Sequence, residues 1–211
     1  MLKLYTWKTP NGYKVPIMLE ELGLEYEIHN VDLTKGEQMT PEFLAMNPNN
    51  KIPVLVDEDA EGGTLTVFES GAILIYLAEK TKSAKLMPQD LHGKYKMLEW
   101  LMFQMASVGP MFGQLSHFAK FAPEKIEYAI KRYTDEVKRL MNVMNTQLAS
   151  GYYLAGDFSI ADIATYPWVR SANSIDATLV SAYPNVARWY KTIDEMPAVK
   201  KAYEKVDAAA V

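Results

Sequence analysis

Residues 52–80 read IPVLVDEDAEGGTLTVFESGAILIYLAEK, and this stretch decides the fold of the first part of the chain. Two short apolar runs, 53–56 and 64–68, flank a Glu-Gly-Gly turn, which is the pattern of a β-hairpin. Ser70 then precedes an apolar run of helical length and is a natural N-cap. The stretch therefore predicts a strand, a turn, a second strand and a helix.

The residues before this stretch alternate between strand and helix patterns. Residues 2–7 alternate with period two, and 26–31 read as a second strand. Helical spacing of apolar residues marks 14–22, and a short helix at 41–46 has Thr40 as its N-cap. Helices between strands favour parallel pairing, whereas the hairpin adds an antiparallel edge. We therefore expect a four-stranded mixed sheet, with helices packed on it, in a domain that ends at residue 81.

The strand signals largely stop after residue 81. Residues 82–92 are polar and are predicted to be a linker, and 93–211 are predicted to form an all-helical domain. A long helical pattern covers 93–118, in which we expect Pro110 to introduce a kink. Residues 159–162, Ser-Ile-Ala-Asp, open another helix as a variant of the capping box.

Composition and charge exclude several kinds of chemistry. The 211 residues include no Cys and carry a net charge of −4, so disulfides, cysteine-bound zinc and iron–sulfur clusters are excluded. The three His residues have no metal-ligand spacing, and no metal site is predicted. The mildly acidic balance does not suit nucleic acid or an anionic membrane as partners. The longest apolar run, 72–78, is too short to span a membrane, and we expect a soluble, cytoplasmic protein.

A polar turn follows the first predicted strand. Residues 9–12 read Thr-Pro-Asn-Gly, at the C-terminal end of a parallel strand, where α/β folds bind ligands. The Thr9 hydroxyl and the Asn11 carboxamide are groups that could donate to a thiolate and lower its pKa. All four residue types are also common in turns, and the spacing alone favours a plain turn with an N-cap.

Two further segments allow both a structural and a functional interpretation. Ile52-Pro53 heads a buried strand, where a cis bond would leave backbone groups to pair with a peptide-like ligand; an ordinary trans proline is the alternative. Glu69-Ser70 precedes a helix, and amide groups at a helix start bind carboxylates. Together with the Glu69 carboxylate they would suit the zwitterionic end of an amino acid, whereas plain capping is the structural alternative.

The combination of these motifs resembles the cytosolic glutathione transferases over essentially the whole chain. Residues 9–12, 35–38, 49–53 and 132–133 look most like the bacterial nu class, which includes disulfide-bond oxidoreductases. The resemblance implies an α/β thioredoxin-like N-terminal domain and an all-α C-terminal helical bundle. It also implies a homodimer, with glutathione as the co-substrate.

The same resemblance assigns roles to individual residues. Thr9, helped by Asn11, would stabilise the glutathione thiolate, since Tyr5 and Tyr13 do not fit the tyrosine-type classes. The acidic–serine pair would hold the γ-glutamyl end, the backbone before a cis proline would pair with the cysteinyl residue, and the glutamine would reach the glycyl end or the main chain. An arginine of the helical domain would add a charged contact. The positions that match are Gln38, Ile52, Pro53, Glu69, Ser70 and Arg132.

The nu-class resemblance implies a reaction without any protein thiol. The thiolate of bound glutathione would attack a small disulfide, and a second glutathione would resolve the mixed disulfide. Conjugation of glutathione to an electrophile is the first alternative, and a non-catalytic glutathione-binding or regulatory module is the second.

Overall fold

The structure, a computed structural model, describes residues 1–210. Contacts divide the chain into two compact units. The first comprises Met1–Lys82 together with the C-terminal segment from Met196 onward, and the second comprises Ser83–Glu195.

The first unit contains the predicted mixed sheet. Its strands are β1 (Leu2–Thr6), β2 (Tyr26–Asn30), β3 (Val54–Asp57) and β4 (Leu65–Phe68), in the order β2-β1-β3-β4. β1 pairs with β2 in parallel, whereas β1–β3 and β3–β4 are antiparallel. The expected four-stranded sheet and its hairpin are confirmed.

Three helices connect these strands: α1 (Pro10–Leu22), α2 (Pro41–Met46) and α3 (Ser70–Lys80). α1 begins earlier than its apolar pattern indicated, because Pro10 at its first position is preorganised for a helix. Gly23 ends α1 in the left-handed conformation, with φ of 65°, that helix C-termini commonly adopt. The start of α1 is thereby placed directly after the carboxyl end of β1.

The second unit is built from helices. They are α4 (Leu91–Phe103), α5 (Gly109–Ser116), α6 (Glu127–Gln147), α7 (Ile160–Ile175), α8 (Thr178–Ser181) and α9 (Pro184–Asp194). π-helical turns at Gln104–Val108 and His117–Phe121 follow α4 and α5. The irregularity expected near Pro110 takes the form of the first of these turns, and Pro110 itself lies in the first turn of α5. The expected fold class, an α/β domain followed by a helical one, is confirmed.

The start of α7 is a fully satisfied polar cluster inside this helical unit. Asp162 is completely buried and accepts hydrogen bonds from the amides of Leu154 and Ser159, at 3.0 and 3.1 Å. The Trp189 indole N–H donates to it at 2.8 Å, and the Ser159 hydroxyl donates at 3.3 Å. Burial raises the pKa of Asp162 to about 6, although the four hydrogen bonds act in the opposite direction. The predicted capping box is present.

The last helix, α10 (Pro197–Ala209), packs on α1 of the first unit. The rings of Tyr13 and Tyr203 stack with centroids 3.8 Å apart. The buried carboxylate of Glu20 receives Lys201 and Lys205, each at 2.6 Å. The grouping by contacts therefore differs from the predicted division into 1–81, a linker at 82–92 and 93–211. It separates the units after residue 82 and assigns the last helix to the first unit, since ion pairs and ring stacking hold α10 there.

Residues 1–210 contain neither a candidate membrane span nor a candidate metal site. No helix in this range is long and apolar enough to cross a membrane. No group of three or more His, Cys, Asp or Glu residues in the same range is placed to hold a metal ion.

Candidate active site

Thr9 is the N-cap of α1 and uses its hydroxyl oxygen for the cap. Its hydroxyl oxygen accepts from the Gly12 amide at 3.1 Å, and its own amide donates to the Trp7 carbonyl at 2.7 Å. A threonine hydroxyl carries one proton besides its acceptor lone pairs. Because the bond to Gly12 uses only the oxygen, the proton remains available to the partly exposed side. The cap and the donor interpretations of Thr9 are thus compatible.

The turn around Thr9 is held by a close backbone approach. A Cβ atom on Gly12 would lie 1.9 Å from the Trp7 carbonyl oxygen, so only glycine fits there. The buried Thr6 hydroxyl donates to the Gly12 carbonyl at 2.9 Å. Asn11 is partly exposed in the first turn of α1. Sequence reasoning placed Gly12 in a polar turn and assigned no role to Thr6, although a glycine three residues after an N-cap was a usable signal of close packing.

The peptide bond between Ile52 and Pro53 is cis, which decides between the two alternatives left open by the sequence. The sheet ladder ends at Val54, so the backbone of Ile52 lies beyond it. Within residues 1–210 that backbone makes no hydrogen bond. Its amide and carbonyl groups are therefore available for an added extended segment.

Asn47, to which the sequence assigned no role of its own, organises the loop before the cis proline. Its buried side chain donates to the Lys51 carbonyl at 2.7 Å and accepts from the Asn49 amide at 2.9 Å. Asn50, with φ of 48°, donates to the Met39 sulfur at 2.8 Å. That contact joins this loop to the short 3₁₀ turn Glu37–Met39, on which Gln38 lies.

Gln38 presents a buried acceptor without a donor. Its side-chain Oε1 is inaccessible and has no hydrogen-bond partner among the described residues. Buried polar atoms are nearly always paired in folded proteins. The family resemblance implied a ligand contact for Gln38, but this oxygen would have to become accessible before a ligand amide could donate to it.

Glu69 and Ser70 form an uncapped helix start. Glu69 is exposed and has φ of 71° and ψ of 113°, a conformation that a non-glycine residue adopts at a cost of about 1–3 kcal/mol. Its side chain makes no capping hydrogen bond to α3. The helix start therefore keeps its affinity for a negatively charged group, while the Glu69 carboxylate points to solvent and can receive an ammonium group.

Lys14 lies behind this helix start, and sequence reasoning missed it. The side chain is completely buried, and its Nζ donates to the Ser70 hydroxyl at 3.2 Å. Burial lowers the pKa of Lys14 to about 7, although the charge of Glu69 acts in the opposite direction. A signal was present, because Lys14 precedes Met18 by four residues and shares its buried helix face. The Lys14–Ser70 contact also joins α1 to α3.

Arg132 belongs to the second unit, where it lines a groove on α6. The groove has a volume of about 770 Å³, and Met111, Tyr128 and Tyr133 contribute apolar surface to it. The nearby cation Arg139 is paired with Glu136 at 2.8 Å. Arg132 is exposed and forms no ion pair with any described residue. It is therefore a cation that an anionic ligand can pair with.

The first unit thus brings together most of the predicted site residues. Contacts join the Thr9 helix to the Ser70 helix and the Gln38 turn to the Ile52 loop. The functional groups of this region are a hydroxyl donor, a backbone segment outside the sheet ladder, a helix start without a side-chain cap and an exposed carboxylate. These groups suit a small peptide with a zwitterionic end.

Comparisons with known proteins agree with this architecture. The family model "Glutathione S-transferase, N-terminal domain" matches residues 1–79, and the model "Glutathione S-transferase, C-terminal domain" matches residues 127–192. Both units are therefore covered in large part by models of one family.

Similar proteins of recorded function include two from Escherichia coli K12. Disulfide-bond oxidoreductase YfcG is 45% identical, with 97% of this chain and 95% of that protein aligned. Disulfide-bond oxidoreductase YghU is 42% identical, with 95% of this chain and 73% of that protein aligned.

Solved structures give the same result. A glutathione transferase family member from Pseudomonas fluorescens, with two glutathione bound, has a TM-score of 0.91 and 44% identity, covering 96% of this chain and 92% of that one. A glutathione transferase from Pseudomonas putida, with one glutathione disulfide per subunit, has a TM-score of 0.90 and 45% identity, covering 95% and 90%. This chain belongs to the glutathione S-transferase family.

Proposed function

We propose that this protein reduces small disulfides with glutathione, by means of the thiolate of a bound glutathione. The observation that carries the proposal is the start of α1, where the Thr9 oxygen accepts from Gly12 and its hydroxyl proton stays available. The chain has no cysteine of its own, so the reacting sulfur comes from the ligand. Relatives named disulfide-bond oxidoreductases, and a relative holding glutathione disulfide, support this choice of reaction.

Glutathione would bind through the groups that the first unit leaves open. The uncapped start of α3 at Ser70 would receive the γ-glutamyl carboxylate, and Glu69 would receive the ammonium group. The backbone of Ile52, before cis Pro53, would pair with the cysteinyl residue as an added strand. Gln38 would accept a hydrogen bond from the main chain or the glycyl end.

The reaction requires two glutathione molecules per disulfide. The thiolate of the first attacks one sulfur of the disulfide, forms a mixed disulfide and releases a substrate thiolate, which takes up a proton. The thiolate of the second attacks the glutathione sulfur of the mixed disulfide, which yields glutathione disulfide and a second substrate thiol. Two electrons pass from the two glutathiones to the substrate. Hydrogen bonds from Thr9 and Asn11 favour the thiolate and so raise its concentration at neutral pH.

Arg132 is proposed to pair with a carboxylate of glutathione, including that of the second molecule. Two observations support this role. It is a cation without an ion pair in the described part of the chain, and it lines a groove of about 770 Å³. Structures of relatives hold two glutathiones. Replacement of Arg132 by an acidic residue is expected to weaken glutathione binding more than its replacement by a neutral residue does.

We further propose that the protein acts as a homodimer in the reducing cytoplasm, where glutathione is the main soluble thiol. The support lies on α4, where Leu91, Tyr95 and Met102 are 69, 63 and 48% exposed. Exposed apolar side chains that recur along one helix mark an interaction surface. Light scattering at micromolar concentration tests this, and a monomeric mass would contradict it.

Thr9→Val tests the proposed mechanism, because valine keeps the shape of threonine and removes the hydroxyl. We expect kcat/KM for glutathione-dependent reduction of bis(2-hydroxyethyl) disulfide to fall by about 10- to 100-fold, with Thr9→Ser close to wild type. The pKa of the bound glutathione thiol, measured from the ultraviolet absorbance of its thiolate, should rise. Thr64→Val, at an exposed loop position, is the matched control.

Three outcomes are distinguishable in the same assay. Full disulfide turnover by Thr9→Val, with the wild-type thiolate pKa, would overturn the role of Thr9. Dominant turnover of chlorodinitrobenzene over the disulfide would favour conjugation, which uses the same thiolate on an electrophilic carbon. Glutathione binding without either activity would support the second alternative, a non-catalytic glutathione-binding or regulatory module.

A further inference from the structure

A solvent-exposed thioether lies on the turn that carries Gln38. Among residues 1–210, which include all twelve methionines, three methionines are exposed: Met1, Met39 and Met102, at 52, 55 and 48%. Met39 is the last residue of the 3₁₀ turn Glu37–Met39. Because the chain has no cysteine, its methionines hold all of its sulfur, and an exposed methionine is open to oxidation.

The Met39 sulfur accepts a hydrogen bond from the side chain of a neighbouring loop. The Asn50 Nδ2 lies 2.8 Å from it. Asn50 has φ of 48° and belongs to the loop before the cis Ile52-Pro53 bond. The contact therefore joins the turn that carries Gln38 to the loop that ends at Ile52, and both segments are parts of the proposed glutathione site.

Oxidation of this sulfur would end the contact in either of its two products. One oxygen of hydrogen peroxide bonds to the thioether sulfur, the O–O bond breaks, and the second oxygen leaves as water with both protons, so that two electrons pass from sulfur to peroxide. Oxygen on the lone pair that faces Asn50 would stand between two atoms that are only 2.8 Å apart. Oxygen on the other lone pair leaves a sulfur with partial positive charge, which no longer attracts the N–H group of Asn50.

We propose that Met39 is a site of oxidation by peroxides, where the sulfoxide releases the Asn50 loop from the Gln38 turn and weakens glutathione binding. This inference rests on the proposed function, since it requires the cysteinyl residue at Ile52 and the glycyl end near Gln38. A ligand that spans two segments binds less tightly when their relative position is no longer fixed. The effect falls on glutathione binding rather than on the thiolate, because Thr9 precedes α1, outside both segments.

The test compares wild type, Met39→Leu and Met102→Leu before and after treatment with hydrogen peroxide. The peroxide is removed before glutathione is added, so that the ligand itself stays reduced. We expect mass spectrometry to find the sulfoxide at Met39, and titration calorimetry to show about fivefold weaker glutathione binding in treated wild type. Met39→Leu keeps an apolar side chain without an oxidisable sulfur and should bind glutathione equally with and without treatment. Met102→Leu, which removes another exposed methionine, should respond to peroxide as wild type does.

Steady-state kinetics separate this role from general damage by peroxide. Treated wild type is expected to have a KM for glutathione about fivefold higher, with kcat within about twofold at saturation. Methionine sulfoxide reductases A and B together reduce both epimers and should restore KM. The absence of a sulfoxide at Met39, or a sulfoxide that leaves glutathione affinity unchanged, would overturn the proposal. An equal loss of affinity in treated Met39→Leu would overturn it as well.

Hydrogen–deuterium exchange gives a readout that does not depend on glutathione. Amides of residues 47–52 are expected to exchange faster in treated wild type, and not in treated Met39→Leu, because the loop loses its contact with the turn. Unchanged exchange in oxidised wild type would contradict the release of the loop. If untreated wild type does not bind glutathione, the proposed function fails instead, and the exchange experiment still decides whether Met39 controls this loop.

Discussion

The starts of α3 and α7 both combine a serine with an acidic residue, yet they use the pair in opposite ways. At α7, Asp162 is buried and receives four donors, two of them from Ser159, so the polar groups are satisfied within the helical unit. At α3, Glu69 is exposed at φ of 71° and caps nothing, while Ser70 pairs with a buried lysine. The start of α7 therefore has a complete side-chain cap, whereas the start of α3 has none.

Burial has opposite effects on the two ionisable groups in this comparison. It raises the pKa of Asp162 to about 6 and lowers that of Lys14 to about 7, because it disfavours the charged form of each. Four hydrogen bonds offset the effect on Asp162. For Lys14 the offset comes from Glu69, whose charge lies on the exposed side of the helix start. Asp162 is thus satisfied within its own unit, whereas Lys14 lies beneath the helix start at which the proposed ligand would bind.

Removal of Asp162 should have the largest effect on stability. Asp162→Ala leaves the donors of Leu154, Ser159 and Trp189 without a partner inside the helical unit, and we expect a loss of about 3 kcal/mol in the free energy of unfolding. Urea denaturation followed by circular dichroism measures it. Asp157→Ala, at an exposed position in the same loop, is the control and should change stability by less than about 0.5 kcal/mol. A loss below about 1 kcal/mol in Asp162→Ala would show that the cluster does not stabilise the fold.

Matched serine substitutions should separate the two helix starts. Ser159→Ala removes a capping hydroxyl and is expected to lower stability by about 1 kcal/mol without changing glutathione affinity. Ser70→Ala is expected to weaken glutathione binding by about tenfold, equivalent to about 1.4 kcal/mol. Its effect on the free energy of unfolding should be smaller. Titration calorimetry and urea denaturation on both variants complete the comparison. The same pattern of losses in both variants would remove the distinction between the two sites.

The pH dependence of stability should reveal the buried lysine. The unfolded chain keeps Lys14 protonated up to about its ordinary pKa of 10.5, whereas the folded chain releases the proton near 7. Between these values the unfolded chain binds more protons, so stability rises with pH. The free energy of unfolding of wild type, relative to Lys14→Met, should therefore rise by about 1 kcal/mol between pH 7 and pH 8.

Lys200→Met provides the reference for this last prediction. The difference in free energy of unfolding between Lys200→Met and wild type should stay constant across the same pH range, because the Lys200 side chain is exposed. If the difference in free energy of unfolding for Lys14→Met is also constant with pH, Lys14 is solvated. Burial would then not lower the pKa of Lys14, and the electrostatic contrast with Asp162 would be wrong.

Much of the architecture was predictable because its signals are local. The hairpin of β3 and β4 follows from two apolar runs around a Glu-Gly-Gly turn, and the capping box of α7 follows from four consecutive residues. α1 starts at Pro10 rather than near residue 14 because a cap and a proline, not apolar spacing, fix a helix start. The cis bond before Pro53 was one of two alternatives, since an isolated dipeptide populates both.

The sequence by itself determined the strand and helix order, the absence of a protein thiol and the motifs that identify the family. It also placed hydroxyl, carboxamide and carboxylate groups at the ends of strands and the starts of helices. These properties depend on residues within a few positions of one another, where periodicity and capping act.

Only the tertiary structure decided which of these groups are satisfied. It buried Lys14 against Ser70, left the Gln38 oxygen without a donor and placed α10 on α1 through Glu20. Each of these facts joins segments that are distant along the chain, and burial is a property of the packed unit. The local sequence names the polar groups, but packing decides which of them remain for a ligand.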